Sequence, residues 1–278
     1  MVSIRDFMYP QITLAAFQEL RATDKKRICF GSLHKNALKA NAMGRAAGFF
    51  NVPFIETIGT LFPWKLFRNT DQYGGYYRTV TDDGEFNEIR IWMSENADVV
   101  FIRSLFATAV AACEHYISQD QRSRIGDLEH SAKWNGNASA RDELVGILNF
   151  VFERMHANRQ IDGILSVPPS TPGQQSLPNY LALKLAANAS VPDLTSCISW
   201  NGPKGQIKEL SVDKKWAALE KVGLTVTKEV AGKNLLLVDD MYQSGATPHF
   251  VASQLRAAGA NDIHLLAVSK GRWDTDNK

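Results

Sequence analysis

The chain has 278 residues, 45% of them hydrophobic and 22% charged, and its formal net charge is +2. This length fits one large domain or two modest ones, and the composition is that of a globular protein with a buried core. The small net charge excludes strong affinity for nucleic acid over the whole surface, so any basic patch must be local.

The three cysteines, Cys29, Cys113 and Cys197, lie far apart and form no CxxC pair. This spacing argues against a zinc module or a disulfide framework and fits a reducing compartment. The six histidines share no ligand spacing, no apolar run has membrane-spanning length, and residues 1–11 lack a signal-peptide pattern. We therefore expect a cytoplasmic protein that does not contact a membrane and holds no metal directly through its own side chains.

Hydrophobic patterns predict several elements in the first half of the chain. A continuous apolar run favours a buried segment, and alternation of apolar and polar residues favours a half-buried strand. The predictions are a strand over residues 26–30, a helix over 36–48, strands over 77–81 and 86–93 joined by a tight turn at Asp83-Gly84, a strand over 98–103 and a buried helix over 105–117.

Residues 61–78 combine aromatic side chains with basic ones. They are Phe62, Trp64, Phe67, Tyr73, Tyr76 and Tyr77, interleaved with Lys65, Arg68 and Arg78. Rings next to cations can stack on bases while the cations meet phosphates. The alternative, which we favour, is a hydrophobic loop and hairpin that pack on their own core. Nucleic acid is retained as an alternative partner.

Residues 118–138 are polar and rich in glycine and asparagine, so we place a domain boundary there. Residues 1–138 would form an N-terminal α/β domain of unknown role, available for binding an acceptor or a partner. Residues 139–278 predict a helix, a strand over 161–167, a helix over 177–188, a strand over 194–198, a long polar stretch, a strand over 235–238, a helix and a strand over 262–269. This alternation predicts an α/β fold with a parallel sheet and helices on both faces.

The most informative stretch begins with four apolar residues at 235–238. Asp239 and Asp240 follow them, and the small loop residues Gln243, Ser244, Gly245, Ala246 and Thr247 come next. Thr247 and Pro248 suit the start of a helix, as N-cap and first helical residue. A helix start beyond the carboxyl end of a strand attracts a phosphate, and an acidic pair can accept hydrogen bonds from vicinal sugar hydroxyls. The stretch therefore predicts a site for a phosphorylated ribose.

This stretch, LLLVDDMYQSGAT, resembles the phosphoribosyl-diphosphate (PRPP) signature of type I phosphoribosyltransferases. The resemblance implies that Asp239 and Asp240 are catalytic residues that hold the ribose hydroxyls, and that residues 243–247 surround the 5-phosphate. Tyr242 and Gln243 depart from it, since an aliphatic residue and a hydroxyl residue are usual there. An ordinary strand-turn-helix of another doubly wound protein is the alternative interpretation. We expect His249, one turn further on, to lie on the helix surface.

Two more segments resemble parts of the ComF-like branch of that family. Val167, Pro168, Pro169, Ser170 and Thr171 follow the 161–167 strand as a diphosphate loop would, although Gln174 and Gln175 stand where arginines are usual. Residues 201–221 resemble a mobile loop that closes over the ligand, in which Lys208 is our candidate for stabilising the leaving diphosphate. The N-terminal zinc module of that branch is missing, so the resemblance covers residues 139–278 only.

The resulting hypothesis is a phosphoribosyltransferase that binds PRPP with Mg²⁺, transfers phosphoribosyl to an unidentified acceptor and releases diphosphate. Mg²⁺ would be held through PRPP and not by the protein. The alternative is a catalytically weak or inactive PRPP-fold module that binds a phosphoribosyl ligand as an effector in a larger assembly. A homo-oligomer or another protein partner is left open.

Overall fold

The computed structural model describes residues 11–41, 47–70, 74–156, 160–205, 207 and 209–271. The strands are β1 (Arg27–Ile28), β2 (Leu38–Ala40), β3 (Gly48–Val52), β4 (Phe67–Arg68), β5 (Tyr76–Val80), β6 (Val100–Ile102), β7 (Thr108–Glu114), β8 (Gly163–Ser166), β9 (Ile198–Trp200), β10 (Leu224–Val226), β11 (Leu235–Tyr242) and β12 (Ile263–Lys270). The α-helices are α1 (Leu14–Arg21), α2 (Ile58–Leu61), α3 (Asp83–Glu95), α4 (Arg124–Trp134), α5 (Ala138–His156), α6 (Leu177–Ala189), α7 (Val212–Val222) and α8 (Ala246–Ala257).

A six-stranded sheet in the order β1-β6-β7-β12-β11-β8 forms the centre of the fold. Strands β7, β12, β11 and β8 are parallel to one another, and β6 and β1 extend the sheet with antiparallel pairings. Every residue of β7 and β12 is buried. Burial on both faces explains why the central strands read as continuous apolar runs and not as alternating patterns.

Helices cover the two faces of this sheet separately. Leu236 and Val238 contribute to one core cluster, together with buried residues of α5 and α6. Leu235 and Leu237 contribute to the other, together with buried residues of α1, α7 and α8. The predicted fold class, a parallel α/β sheet with helices on both faces, is confirmed.

Two smaller sheets accompany the central one. Strands β2, β3, β5 and β4 form an antiparallel sheet in that order, and β9 pairs with β10 as a two-stranded ribbon. The first sheet buries one face against the core, since Gly48, Phe50 and Val52 of β3 are buried while the residues between them are exposed.

The central sheet spans the predicted domain boundary. Strand β7, from the first half, pairs with β12 over six residue pairs that run from Thr108 with His264 to Glu114 with Lys270. Helix α4, which ends before residue 138, and helix α5, which begins there, also pack against the same sheet. The functional division between residues 1–138 and 139–278 remains a prediction, but the hydrogen bonds of the sheet cross it.

Several local predictions were wrong. Residues 105–117 contain strand β7 and not a helix, because an uninterrupted apolar run is compatible with either element and this one lies between two strands. Residues 86–93 belong to helix α3, which starts where the Asp82 carboxylate accepts the Glu85 N–H at 2.9 Å and Glu85 bonds back to Thr81. This reciprocal capping outweighs the alternating pattern.

Three element bounds also differ from the predictions. Leu38–Ala40 is a strand where a helix was predicted over 36–48, and residues 42–46 lie outside the described part. The strand predicted over 194–198 is a 3-10 turn at Thr195–Cys197 followed by β9. Helix α8 has Gly245, not Thr247, at the N-cap position. Among the helices that the structure describes, none has the length and apolar character needed to cross a bilayer.

We predict that Gly126→Ala lowers the free energy of unfolding by about 2 kcal/mol. A Cβ at this position would lie 2.4 Å from the backbone oxygen of His115, so helix α4 would have to move away from the end of β7. Urea unfolding followed by circular dichroism measures the change.

The matched control is Gly146→Ala in helix α5, where an added Cβ would meet nothing within 4 Å. This substitution should raise the free energy of unfolding by about 0.5–1 kcal/mol through helix propensity. Equal effects of the two substitutions would contradict the close contact between α4 and β7.

Candidate functional site

The central sheet opens between β8 and β11. Their parallel pairing ends at Ser166 with Val238, whereas β11 continues along β12 as far as Tyr242 with Lys270. After the Val167 N–H donates to the Val238 oxygen at 2.9 Å, the chain continues with Pro168 and Pro169, which have no N–H to extend the ladder. The opening lies at the carboxyl ends of parallel strands, where open α/β sheets bind ligands.

Asp239 and Asp240 stand at the start of this opening, within β11 and not beyond its end. Because successive strand residues point to opposite faces, the two carboxyl groups lie on different sides of the sheet. Asp240 faces helix α4, where its carboxylate is in contact with the ammonium group of Lys133. Both acids can therefore contact the same ligand only if that ligand lies at the opening between β8 and β11.

Asp239 is 7% exposed. Its burial, and secondly the charge of Asp240, raise the pKa of Asp239 to about 8, although Lys204, Lys133 and the backbone N–H of Asp240 act in the opposite direction. That N–H lies 3.0 Å from Asp239 Oδ1. Near neutral pH this carboxyl retains its proton in a large fraction of molecules, so it can both donate and accept a hydrogen bond.

Lys133 is a site residue that the sequence analysis did not identify. Burial lowers its pKa, but the charge and the hydrogen bond of Asp240, aided by Glu129 and Asp239, outweigh that effect and raise the pKa overall. Lys133 therefore stays charged beside Asp240. It lies 107 positions away in the chain, on a helix within the stretch assigned to the domain boundary, and no local pattern connects the two residues.

A buried polar network lies behind this pair. His115 Nδ1 is 3.2 Å from Glu129 Oε2 and 3.1 Å from Ser269 Oγ, and the Ser269 hydroxyl donates to the same Glu129 oxygen. A catalytic serine triad needs the acid and the serine on different ring nitrogens, whereas one nitrogen faces both here. The network joins α4 to the ends of β7 and β12. It thereby positions Lys133, which follows Glu129 by one helical turn.

The loop after β11 is compact around Gly245. Gly245 has φ 81°, and a Cβ there would lie 2.2 Å from the Tyr242 hydroxyl oxygen, so only glycine fits beneath that ring. Ser244 and Ala246 are buried, Thr247 is partly exposed and Gln243 is exposed. Tyr242, where the signature has an aliphatic residue, therefore covers part of the helix start.

Two cations flank the same loop. Arg21 donates from Nη1 to the Ser244 oxygen at 2.6 Å, and the buried Lys270 donates from Nζ to the Gln243 oxygen at 3.2 Å. Their positive charge adds to that of the helix start, where an anion is favoured. The sequence analysis identified neither residue.

His249 is fully buried, so its predicted surface position was wrong. Its ring stacks on Phe17 at 4.2 Å, its Nε2 accepts the Leu105 N–H at 3.3 Å and its Nδ1 lies 2.8 Å from the Gly245 oxygen. Since Nε2 accepts, Nδ1 carries the proton and donates to that oxygen. Burial lowers the pKa of His249 to about 3, so the ring is a neutral support for the loop.

The segment after β8 is held from one side by the β9–β10 region. The Trp200 indole N–H donates to the Pro168 oxygen at 3.2 Å, and the Lys204 backbone N–H donates to the Ser170 oxygen at 2.7 Å. Val167 and Pro168 are buried, Pro169 is partly buried, and Ser170 and Thr171 are exposed. The predicted diphosphate loop, residues 167–171, therefore contacts the start of the predicted mobile loop, residues 201–221.

The charge of Lys204 acts on the Asp239 carboxyl, as that of Lys133 does. The Lys204 Nζ also lies 5.6 Å from the centre of the Trp200 ring. The predicted catalytic residue Lys208 and the neighbouring Gln206 lie outside the described residues, so the role of Lys208 remains a prediction.

No protein-family profile and no curated protein matches the sequence. Solved structures that are similar in part include the following two. An allosteric regulatory enzyme of purine biosynthesis has 22% identity and a TM-score of 0.33, covering 47% of this chain and 25% of that one. The glutamine PRPP amidotransferase of B. subtilis, complexed with ADP and GMP, has 16% identity and a TM-score of 0.37, covering 70% of this chain and 38% of that one. The chain thus spans about a quarter to two fifths of their lengths, and these values carry no argument about activity.

We predict that Asp239→Asn stabilises the protein increasingly as the pH rises. Between about pH 4 and pH 8 the folded wild type keeps a proton that the unfolded chain has released, so wild-type stability falls through this window. The variant lacks this titration. Its advantage in the free energy of unfolding should grow by at most about 1.4 kcal/mol per pH unit, measured by urea unfolding at several pH values.

Asp82→Asn provides a control of opposite sign. The hydrogen bond from the Glu85 backbone lowers the pKa of Asp82, so wild type should gain stability relative to this variant as the pH rises through the acid range. Parallel pH profiles for Asp239→Asn and wild type would contradict the burial of a protonated carboxyl in β11.

Proposed function

We propose that this protein binds PRPP at the opening between β8 and β11 and transfers its phosphoribosyl group to an acceptor. The observation that carries the proposal is the meeting of four features at one sheet edge. An acidic pair stands where the pairing of β11 with β8 ends, and the start of α8, preceded by Gly245, follows it. The exposed residues Ser170 and Thr171 follow β8, and Lys204, whose charge acts on Asp239, donates its backbone N–H to Ser170.

The acidic pair would recognise the ribose. Asp239, with its raised pKa, offers a donor as well as an acceptor, and Asp240 offers a carboxyl group that Lys133 keeps in place. A vicinal diol presents both donors and acceptors, so the two acids complement it from the two faces of the sheet edge. Both groups would orient the sugar without forming a covalent bond to it.

The 5-phosphate would occupy the start of α8. The Thr247 side chain is partly exposed there, and Arg21 and Lys270 lie beside the loop carbonyls of Ser244 and Gln243. Free N–H groups in the first turn of a helix and two nearby cations favour an anion in this place. The Tyr242 ring would form one wall of this phosphate site.

The diphosphate would leave along residues 167–171. Ser170 and Thr171 expose their hydroxyl groups, and Lys204 brings a positive charge to the same loop. As the C1–O bond breaks, the diphosphate departs with the bonding electrons and an acceptor lone pair forms the new bond at C1. Positioning of the acceptor and neutralisation of the leaving group would lower the barrier.

Mg²⁺ would come with the ligand. Among the residues that the structure describes, no group of three or more His, Cys, Asp or Glu side chains could hold a metal ion. Mg²⁺ that keeps its waters and takes phosphate oxygens of PRPP requires no direct ligand from the protein. The ion would supply neutralisation of the diphosphate charge.

Binding without turnover is a second candidate, and three observations favour it. Asp240 is already occupied by Lys133, Tyr242 covers part of the helix start, and residues 167–175 include no arginine. The resemblance of residues 167–171 to the ComF-like branch is also a proposal, and it depends on the Pro168-Pro169 turn. In this form the chain would act as an effector that holds a phosphoribosyl ligand within a larger assembly.

We predict that calorimetry detects PRPP binding in the presence of Mg²⁺ and that Asp239→Asn combined with Asp240→Asn weakens it at least about tenfold. Asp240 loses a charge-assisted hydrogen bond to the ribose, which is worth about 1.5–3 kcal/mol, and Asp239 loses a further hydrogen bond. Release of diphosphate, followed with an inorganic pyrophosphatase assay, separates transfer or hydrolysis from binding alone.

Glu229→Gln is the control, because Glu229 lies in the 3-10 turn that precedes β11, at the opposite end of that strand. It should bind PRPP like the wild type. Lack of PRPP binding by the wild type, or equal binding by the double variant, would overturn the proposed site. Binding without diphosphate release would select the effector interpretation.

A further inference from the structure

The four-stranded antiparallel sheet exposes one face with an unusual composition. Lys39 pairs with Phe49 and Phe49 with Thr79 across β2, β3 and β5, so these residues share a face. Asn51 pairs with Tyr77 and Tyr77 with Phe67 across β3, β5 and β4, which adds a second row. We call this surface the aromatic face.

The rings of the aromatic face do not belong to the core. Phe49 is 37% exposed and Phe67 is 47% exposed. The Tyr77 side chain is half-buried, and its ring lies 6.4 Å from that of Phe67. Phe62, from the same stretch of sequence, instead lies in the hydrophobic core, and Trp64 packs against that core with its ring centre 5.0 Å from that of Phe62. The stretch of residues 61–78 therefore has two kinds of aromatic residue, and one kind is presented to solvent.

Cations accompany these exposed rings. The Lys65 ammonium lies 5.3 Å from the centre of the Phe67 ring, and Lys39 lies directly across from Phe49 in the sheet register. Lys39 and Asn51 also line a cleft of about 790 Å³, to which Lys25 and Lys35 contribute. Among the described residues that line this cleft, none is acidic.

The geometry points to a binding surface for single-stranded nucleic acid on the aromatic face and its adjoining cleft. Bases would stack on Phe49, Phe67 and Tyr77, because every base offers a flat π-surface to such rings. Phosphates would meet the lysines, and the described lining residues, none of which is acidic, match the charge of a phosphate backbone. This surface is distinct from the sheet edge proposed for PRPP, and the inference does not depend on that function.

A single strand fits this surface better than a duplex does. Duplex recognition usually places a helix or ribbon in a groove, whereas the aromatic face is a half-exposed sheet with its rings in open positions. Neighbouring strands of a sheet lie about 4.8 Å apart, so Phe67 and Tyr77 adjoin each other on β4 and β5, and Phe49 of β3 lies diagonally from Tyr77 on the same face. Rings arranged in this way favour unpaired bases of either sugar type.

We predict that the full chain binds labelled oligo(dT) or oligo(U) in fluorescence anisotropy at about 50 mM salt and more weakly at about 200 mM salt. Phe67→Ala and Tyr77→Ala should each raise the Kd about tenfold, since each removes one stacking ring. Tyr77→Phe, which keeps the ring, should bind as the wild type does. Lys39→Ala together with Lys65→Ala should reduce the dependence of affinity on salt.

Phe150→Ala is the matched control, because Phe150 is 53% exposed on α5 with the Arg154 guanidinium carbon 3.7 Å from its ring centre. It should leave the affinity unchanged. Circular dichroism melting of each variant shows that the fold is intact. The inference would be overturned by undetectable oligonucleotide binding at low salt, or by duplex binding as tight as single-strand binding. It would also be overturned if Phe67→Ala altered neither oligonucleotide binding nor binding of heparin, a polyanion without bases.

Discussion

The organisation of this molecule depends on an asymmetry in the hydrogen bonding of one strand. β11 pairs with β8 only as far as Val238, but it pairs with β12 as far as Tyr242. The strand therefore carries two acidic residues past the point where one of its neighbours has turned away. Proline residues cause that departure, since Pro168 and Pro169 have no N–H with which to continue the ladder. The acidic pair and the residues that follow β8 lie on the two sides of this gap.

The acidic pair at this end of the sheet also requires positive charge from other parts of the chain. Asp239 is buried and shares its surroundings with Asp240, and two such carboxylates cannot both ionise without nearby positive charge. Lys133 comes from α4 and Lys204 from the segment after β9. The groups that balance the acids thus come from two distant parts of the sequence, while Lys270 and Arg21 bind the carbonyl oxygens of the following loop.

This distribution explains which parts of the site could be predicted from the sequence. The apolar strand, the acidic pair, the glycine and the helix are contiguous in the chain, and the predicted strand and helix are present, although the helix starts at Ala246. Lys133 and the network of His115, Glu129 and Ser269 could not be found in this way. They depend on β7 pairing beside β12, and the apolar run of β7 has no period that separates a strand from a helix.

The same reasoning applies to the first half of the chain. The aromatic stretch was expected to pack on its own core, and for Phe62 and Trp64 it does. Phe67 and Tyr77 differ because strand alternation turns them outward, a distinction that requires the register between β4 and β5. A sequence pattern predicts that rings are present, but tertiary pairing decides which of them reach solvent.

The pairing of β7 with β12 has a consequence for how the polypeptide can be divided. Without the first half, β12 would become an outer strand of eight buried residues, with its main-chain donors and acceptors unsatisfied along one side. Exposed strands of this kind join to one another and precipitate. We therefore expect neither half to be stable when it is expressed without the other. Substitutions that destabilise one half should lower the free energy of unfolding of the whole molecule.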